Sequence, residues 1–398
     1  MKTMTIAIQK EEYQQRIDKL LKEVLKRKGK GVVLFDRDYI LYYTGFAFIP
    51  TERPIAFVAN ASGESALFVP YLEASHASQI PVIDKVSTYP EYPGKKHPIY
   101  LLVDLLQNMG INGGIAADMD GYPWIFGYRG ETLSSIVGKP TIRIQDFVET
   151  SMRIKSTAEL DLIKESVKWG HLAHVLLQRY TRAGLNETEV SLRASDQATR
   201  TMLDAIGPIY QAQSYFASGA SAGYRGQIGR NAAIPHALAN NIVFMDGDVL
   251  VTGANAPVWG YNSELERTMI LGKPNDDQKR FFSHMLAIQN LAFDAIRPGR
   301  KCADVDRIVL HYYEEHQLME YRYHHVGHSI GIRYHESPYF DIGDDTIIEP
   351  GMVFTVEPGL YIPEIGGFRH SDTIAVTDTG IELLTYYPRD LESLTIPV

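Results

Sequence analysis

Glu264 and Glu266 stand two residues apart in the run Ser263 to Thr268, a spacing that on a strand places both carboxylates on one face and Leu265 on the other. Two carboxylates on one face repel unless a cation or a shared proton lies between them, and such pairs drive their pKa values apart. A salt bridge to Arg267 or Arg369 is the purely structural way to relieve that repulsion. A third carboxylate, Glu357, lies in the strand-like run Met352 to Leu360. His328 sits between Gly327 and Gly331, glycines that let backbone come close to a neighbouring strand or a ligand. His236, in NAAIPHALANN, precedes another strand-like run, and imidazole is the side chain whose ordinary titration falls nearest neutrality. Carboxylates and imidazoles are donors for a divalent cation and equally the instruments of general acid-base chemistry. His171, His174 and His311, by contrast, fall on helical patterns and read as ordinary core or surface residues.

Four segments, GDVLVTGANAPVWGYNSELERT (247–268), HHVGHSIG (324–331), VFTVEPGLY (353–361) and GGFRHSDT (366–373), together resemble the creatinase, prolidase and methionine aminopeptidase superfamily, the pita-bread hydrolases. The resemblance implies two Asp, one His and two Glu holding a metal pair, in that chain order. Here those positions read Gly253, Glu264, His328, Glu357 and Ser371. By that correspondence Gly253 and Ser371 strip one ion of two of its three carboxylates, while Glu264, His328 and Glu357 remain for the other. The expectation is therefore an incomplete dinuclear site, with no cofactor or one weakly bound divalent metal on Glu264, His328 and Glu357.

Creatinase itself keeps this frame without a catalytic metal, lacks the first aspartate, and carries an ALERT-like segment where this chain has Glu264 to Thr268. By that resemblance His236 is the general base, and Glu266 and Glu357 hold a cationic, guanidinium-type substrate that offsets the desolvation of buried carboxylates. His335, in RYHESP, matches the histidine that contacts the substrate carbonyl in the peptidases of the superfamily. Creatinase has a histidine where Ser371 stands, which points to a substrate other than creatine. The expected catalytic set is His236, Glu264, His328, His335 and Glu357, with Glu266 and Arg369 binding substrate. His324, His325 and His370 are expected to do no more than line or support the site, and Arg369 with Asp372 to form a supporting ion pair. The activity expected is hydrolysis of a C–N bond of amide, amidine or guanidine type in a small polar substrate, without a metal pair; ectoine-type ring amides are one case. The alternatives are a metal-dependent Xaa-Pro dipeptidase or aminopeptidase and a non-catalytic, peptide-binding scaffold.

The elements that must position these residues fall into two blocks. Residues 11–28 carry Ile17, Leu20, Leu21, Val24 and Leu25 at helical spacing, followed by strand-like runs at Gly31 to Phe35, Ile40 to Gly45, Pro54 to Ala59 and Ser65 to Val69. A Pro/Gly/Lys-rich loop from Tyr89 to His97 leads to an amphipathic helix from Pro98 to Gly110 and a strand at Ile115 to Ala117. This alternation predicts an α/β domain over residues 1–150, and the resemblance implies a creatinase/prolidase-like N-terminal domain contributing to the site across a homodimer. A second domain, residues 151–398, opens with a helix capped by Ser156 or Thr157 with Glu159. Further helices are predicted near Asn186 to Gly207, Asp276 to Ile296 and Ala303 to His316. Strands are predicted at Asp248 to Ala254, Glu264 to Leu271, Met352 to Leu360 and Thr373 to Val376. This is an α+β pita-bread pattern.

Composition limits the remaining possibilities. The chain has 398 residues, enough for two cores. A net charge of −9 and one basic cluster, Lys22 to Lys30 at a helix end, argue against nucleic acid as partner. The single cysteine, Cys302, rules out an internal disulfide and a cysteine zinc site. No apolar stretch near the N-terminus is long enough for a signal peptide or membrane span, so a cytoplasmic enzyme acting on a small molecule is expected.

Overall fold

A computed structural model describes residues 6–398. They form two compact units, Ala7–Met152 and Arg153–Val398, the latter including Ile6. The first is built on a six-stranded mixed sheet in the spatial order Lys85–Tyr89, Ser65–Pro70, Ala56–Asn60, Gly31–Leu34, Ile115–Ala117, Ile142–Arg143. The central strands are buried throughout, so they read as continuous apolar runs without alternation. The helix Pro98–Asn108 turns Ile99, Leu102, Leu105 and Leu106 into a core shared with Val33, Val58 and Phe68.

Residues Ile40 to Gly45, expected as a strand, are helical instead: the helix runs Arg37–Thr44. Its sequence is rich in Tyr and Ile, which favour strands, but the Asp36 carboxylate accepts from the backbone N–H groups of Asp38 and Tyr39 and Gly45 closes the far end in a left-handed conformation. Capping at both ends outweighs the weak intrinsic preference.

In the second unit the helix Thr157–Tyr180 begins with a reciprocal capping box between Ser156 and Glu159. It packs on Glu187–Ile206, and a second pair, Asp276–Ala295 and Cys302–Glu315, packs elsewhere on the unit. Three of the predicted strands are interrupted. The first divides into Val249–Val251 and Gly253–Asn255, the next into Leu265–Glu266 and Thr268–Leu271, and the third into Val353–Val356 and Gly359–Ile362. At the first two breaks the chain passes from the main sheet to a three-stranded sheet of Thr395–Ile396, Thr268–Leu271 and Val249–Val251, which bends the surface that carries the site. Among the described residues no helix is long and apolar enough to cross a membrane.

Candidate active site

The main sheet of the second unit runs in the order Glu336–Tyr339, His328–Ser329, Val353–Val356, Ser371–Val376, Leu265–Glu266, Gly253–Asn255, Ser221–Gly223, every pairing antiparallel. The five positions singled out in the sequence thus lie on five neighbouring strands or one residue beyond their ends: His328, Glu357, Ser371, Glu264 and Gly253. Register fixes the alignment, with Glu266 opposite Ser371, Ser329 opposite Phe354 and Leu265 opposite Ala254. Gly327 is essential to the first crossing. A Cβ there would sit 2.1 Å from the Thr355 carbonyl oxygen, closer than any side chain tolerates.

Glu264, His328 and Glu357 each offer an atom within 4.8 Å of the others. His328 is fully buried. Its Nδ1 donates to the Ser329 carbonyl at 3.0 Å, which leaves Nε2 turned toward the carboxylates. Nε2 meets no strict hydrogen-bond geometry among the described residues, yet Glu357 Oε1 lies 3.0 Å away, an ion-pair distance at which each group shifts the other's protonation. Burial opposes the imidazolium, but Glu357 and Glu264 outweigh it and hold the His328 pKa up at about 9. Burial, with repulsion from Glu357 and Glu266, pushes Glu264 up to about 7, while its Oε1 accepts from the Ser371 hydroxyl at 2.6 Å. Burial would raise Glu357 as well, but the neighbouring His328 and Arg369 hold it below the usual carboxylate range. The cluster is short of a positive charge, to be supplied by a proton on His328 or by a cation. Two carboxylates and one imidazole with an open lone pair suit a divalent ion, so the fit to one ion is good. For a second ion it is poor: Gly253 brings no donor and Ser371 brings a hydroxyl already bonded to Glu264.

Glu266 is buried and both its oxygens are engaged, Oε1 by Arg225 Nη2 at 2.7 Å and Oε2 by Arg369 Nε at 2.5 Å. Arg369 also donates to the Tyr361 hydroxyl at 3.0 Å and approaches Glu357 Oε2 at 3.8 Å. The expected Arg369–Asp372 pair is not formed. Asp372 faces the opposite side of its strand and pairs with the fully buried Arg267 at 2.7 Å, because successive side chains of a strand point to opposite faces.

A cavity of about 420 Å³ lined by His236, His324, His335, Glu357 and Arg369 opens on one side of the cluster, with Pro235 and Tyr323 on its walls. A second, of about 500 Å³, is lined by Arg225, Gly253, Asn255, Glu264, Glu266 and Tyr334. His335 borders both. Its ring stacks on His328 with centroids 3.8 Å apart, and burial, then the charge of His328, lowers its pKa to about 4. His236 is exposed in the turn after Gly229–Ala233. His324 bonds the Tyr361 hydroxyl through Nε2 at 2.7 Å. His325 borders the first cavity as well. His370 is buried, where its Nδ1 accepts from the Thr268 backbone at 3.1 Å; His174 is also buried and bonds Thr252. Two residues were not anticipated: Tyr361, whose hydroxyl joins His324 to Arg369, and Arg225. The only sequence signal for Arg225 is a lone charge in the otherwise uncharged run Ser221 to Gly226.

The two units and this sheet define a creatinase/prolidase N-terminal domain followed by a pita-bread hydrolase domain. Residues 16–133 match the creatinase/prolidase N-terminal domain, and residues 161–378 match metallopeptidase family M24. The chain belongs to family M24 and is a hydrolase of C–N bonds. It is 27% identical over 382 residues to the Xaa-Pro dipeptidase of Pyrococcus furiosus, covering 95% of this chain and 99% of that protein. It is 28% identical over 382 residues to the Xaa-Pro dipeptidase of Pyrococcus horikoshii, covering 95% and 98%. Among solved structures, the Xaa-Pro dipeptidase from Bacillus anthracis superposes with a TM-score of 0.79 at 24% identity, covering 97% of this chain and all of that one; at that identity the likeness shows the fold. These relatives favour the peptidase alternative over the metal-free, creatinase-like mechanism.

Proposed function

We propose that the chain hydrolyses the C–N bond of a dipeptide or comparably small amide, Xaa-Pro dipeptides first, with one divalent cation held by Glu264, His328 and Glu357. This revises the creatinase-like expectation, and two observations support the revision. The relatives aligned over nearly the whole chain are named as Xaa-Pro dipeptidases. Glu266, assigned to a cationic substrate in the creatinase-like account, already has an arginine on each oxygen. The observation that carries the proposal is the His328 Nε2 atom, buried, in strict hydrogen-bond geometry with none of the described residues, and facing two carboxylates.

A cation there would supply Lewis acidity toward a carbonyl and make water more acidic. The chain's own groups do the rest. His335, neutral at pH 7 with its pKa near 4, offers an N–H to a substrate carbonyl without adding charge. His236, at the open side of the first cavity, passes a proton to the departing nitrogen. Ser371 holds the Glu264 carboxylate in place. Pro235, Tyr323 and His324 give the cavity flat, weakly polar walls suited to a ring.

Elemental analysis of protein stripped with EDTA and reloaded with Mn2+, alongside assays on Ala-Pro, Gly-Pro and creatine, tests the reading. One ion per chain and Xaa-Pro cleavage abolished by chelator are expected. Two ions per chain, or creatine hydrolysis that survives chelation, would overturn it.

A further inference from the structure

The place left by the missing carboxylates is not empty of charge. We propose that Arg225, held by Glu266 beside Gly253, is a fixed cation that takes over from the second metal ion and recognises a single carboxylate on the ligand. The inference rests on the reading that the cavity takes substrate, and not on which bond is broken. A Cβ added at Gly253, the residue standing where the resemblance places a metal-binding aspartate, would lie 3.6 Å from Glu266 Oε1 and 4.0 Å from Arg225 Nε. An aspartate there would put its carboxylate against this pair.

The backbone turn that presents Arg225 is held in place. The backbone of Arg225 has φ of +51°, a left-handed conformation that is unfavourable for a non-glycine residue and gathers at functional sites. The turn is locked because the Gly226 N–H donates to Glu187 Oε2 at 2.7 Å and the Gln227 N–H to the Tyr224 carbonyl at 2.9 Å. Glu187, itself buried, also accepts from the Asn240 and Ile242 N–H groups at 2.8 and 3.2 Å. The guanidinium is anchored at one corner only, Nη2 bonding Glu266 at 2.7 Å and Gln227 Oε1 at 3.1 Å. Nε and Nη1 have no hydrogen-bond partner among the described residues, and the side chain is 48% exposed at the wall of the second cavity. Donors in a planar fork with nothing to bind are suited to a carboxylate.

Charge counting agrees. With an ion bound, which requires Glu264 ionised and His328 neutral, Glu264, Glu266 and Glu357 would bring three negative charges and Arg225, Arg369 and the divalent ion four positive ones, leaving a surplus of one for the ligand to neutralise. Removing Arg225 removes the surplus.

Calorimetric titration of the Mn2+-loaded full chain with N-acetylglycine and with N-acetylglycinamide, which differ only in carboxylate against carboxamide, tests the assignment. The acid is expected to bind about tenfold or more tighter than the amide, the value of a charge-assisted contact. Arg225→Gln should bring the two within about twofold, and Arg225→Lys, which keeps the charge but loses the fork, should restore part of the preference. No preference in the parent, binding of neither probe, or a preference undiminished in Arg225→Gln overturns the proposal; the last would assign the carboxylate to the metal. A carboxylate preference that depends on Arg225 in a protein that cleaves no dipeptide would sink the proposed activity and leave this inference standing.

Discussion

Replacing Arg267 with methionine separates what holds the site sheet together from what does chemistry on it. Arg267 is wholly buried. It donates to Asp372 at 2.7 Å and to the carbonyls of Glu266, Ser371, Tyr387 and Pro388 at 2.7, 3.0, 3.0 and 2.8 Å. It therefore ties the backbone of two site strands to the following loop. Arg267→Met leaves a buried Asp372 with hydrogen bonds from Thr385 and Gln289 and a longer approach from Arg389 at 3.9 Å. Breaking a buried pair on one side costs about 3–5 kcal/mol. At roughly 2–4 °C per kcal/mol for a unit of this size, the Tm should fall by about 6–20 °C. Asp372→Asn in the same chain removes the stranded charge and should recover part of the loss.

The pH dependence carries a sign. Burial works to raise Asp372, but Arg267 holds it below its ordinary value of 3.8, so its contribution is present above that pH and disappears as the pH falls through the lower folded value. Without Arg267 the same carboxyl is easier to protonate. The difference in Tm between parent and variant, followed by scanning calorimetry from pH 7 to pH 3.5, should therefore narrow on acidification. A gap below about 2 °C at pH 7, or one that widens in acid, would refute the reasoning.

Gly327→Ala drives a Cβ to within 2.1 Å of the Thr355 carbonyl oxygen and should cost about 3 kcal/mol by forcing the His328 strand from its neighbour, measured by urea unfolding; a variant as stable as the parent would deny the close approach. Glu357→Gln should weaken Mn2+ binding at least about tenfold, read by calorimetry without reference to turnover, and unchanged affinity would remove Glu357 from the ion's donors. His236→Ala should lower kcat on Xaa-Pro dipeptides by roughly 10²–10⁴ with metal content intact, and full activity would end the role given to this histidine.

What the sequence made legible and what it hid divide along a physical line. Ser156 and Glu159 announced the start of their helix because capping is local chemistry between residues three apart. Gly253, Glu264, His328, Glu357 and Ser371 were placed by segments whose spacing matches a family, and the sheet sets them on adjacent strands. The partners of the arginines were not readable. Asp372 and Arg369 are close in sequence yet serve opposite faces, and their true partners, Arg267 and Glu266, lie about a hundred positions away. Arg225 escaped notice for a related reason: its value comes from a backbone twist and from the side chain that Gly253 lacks. The misread helix Arg37–Thr44 shows strand-prone residues yielding to a good cap.

The strand Ser371–Val376 lies between Val353–Val356 and Leu265–Glu266 and also receives Ile381–Leu383 along its length. The strands that gather the donors close around this one segment. The strands that carry Glu264 and Glu357 do not touch each other; each is held by pairing with this one segment. Were this one strand lost, Leu265–Glu266 and Val353–Val356 would have no common neighbour, and Glu264 and Glu357 would part with them.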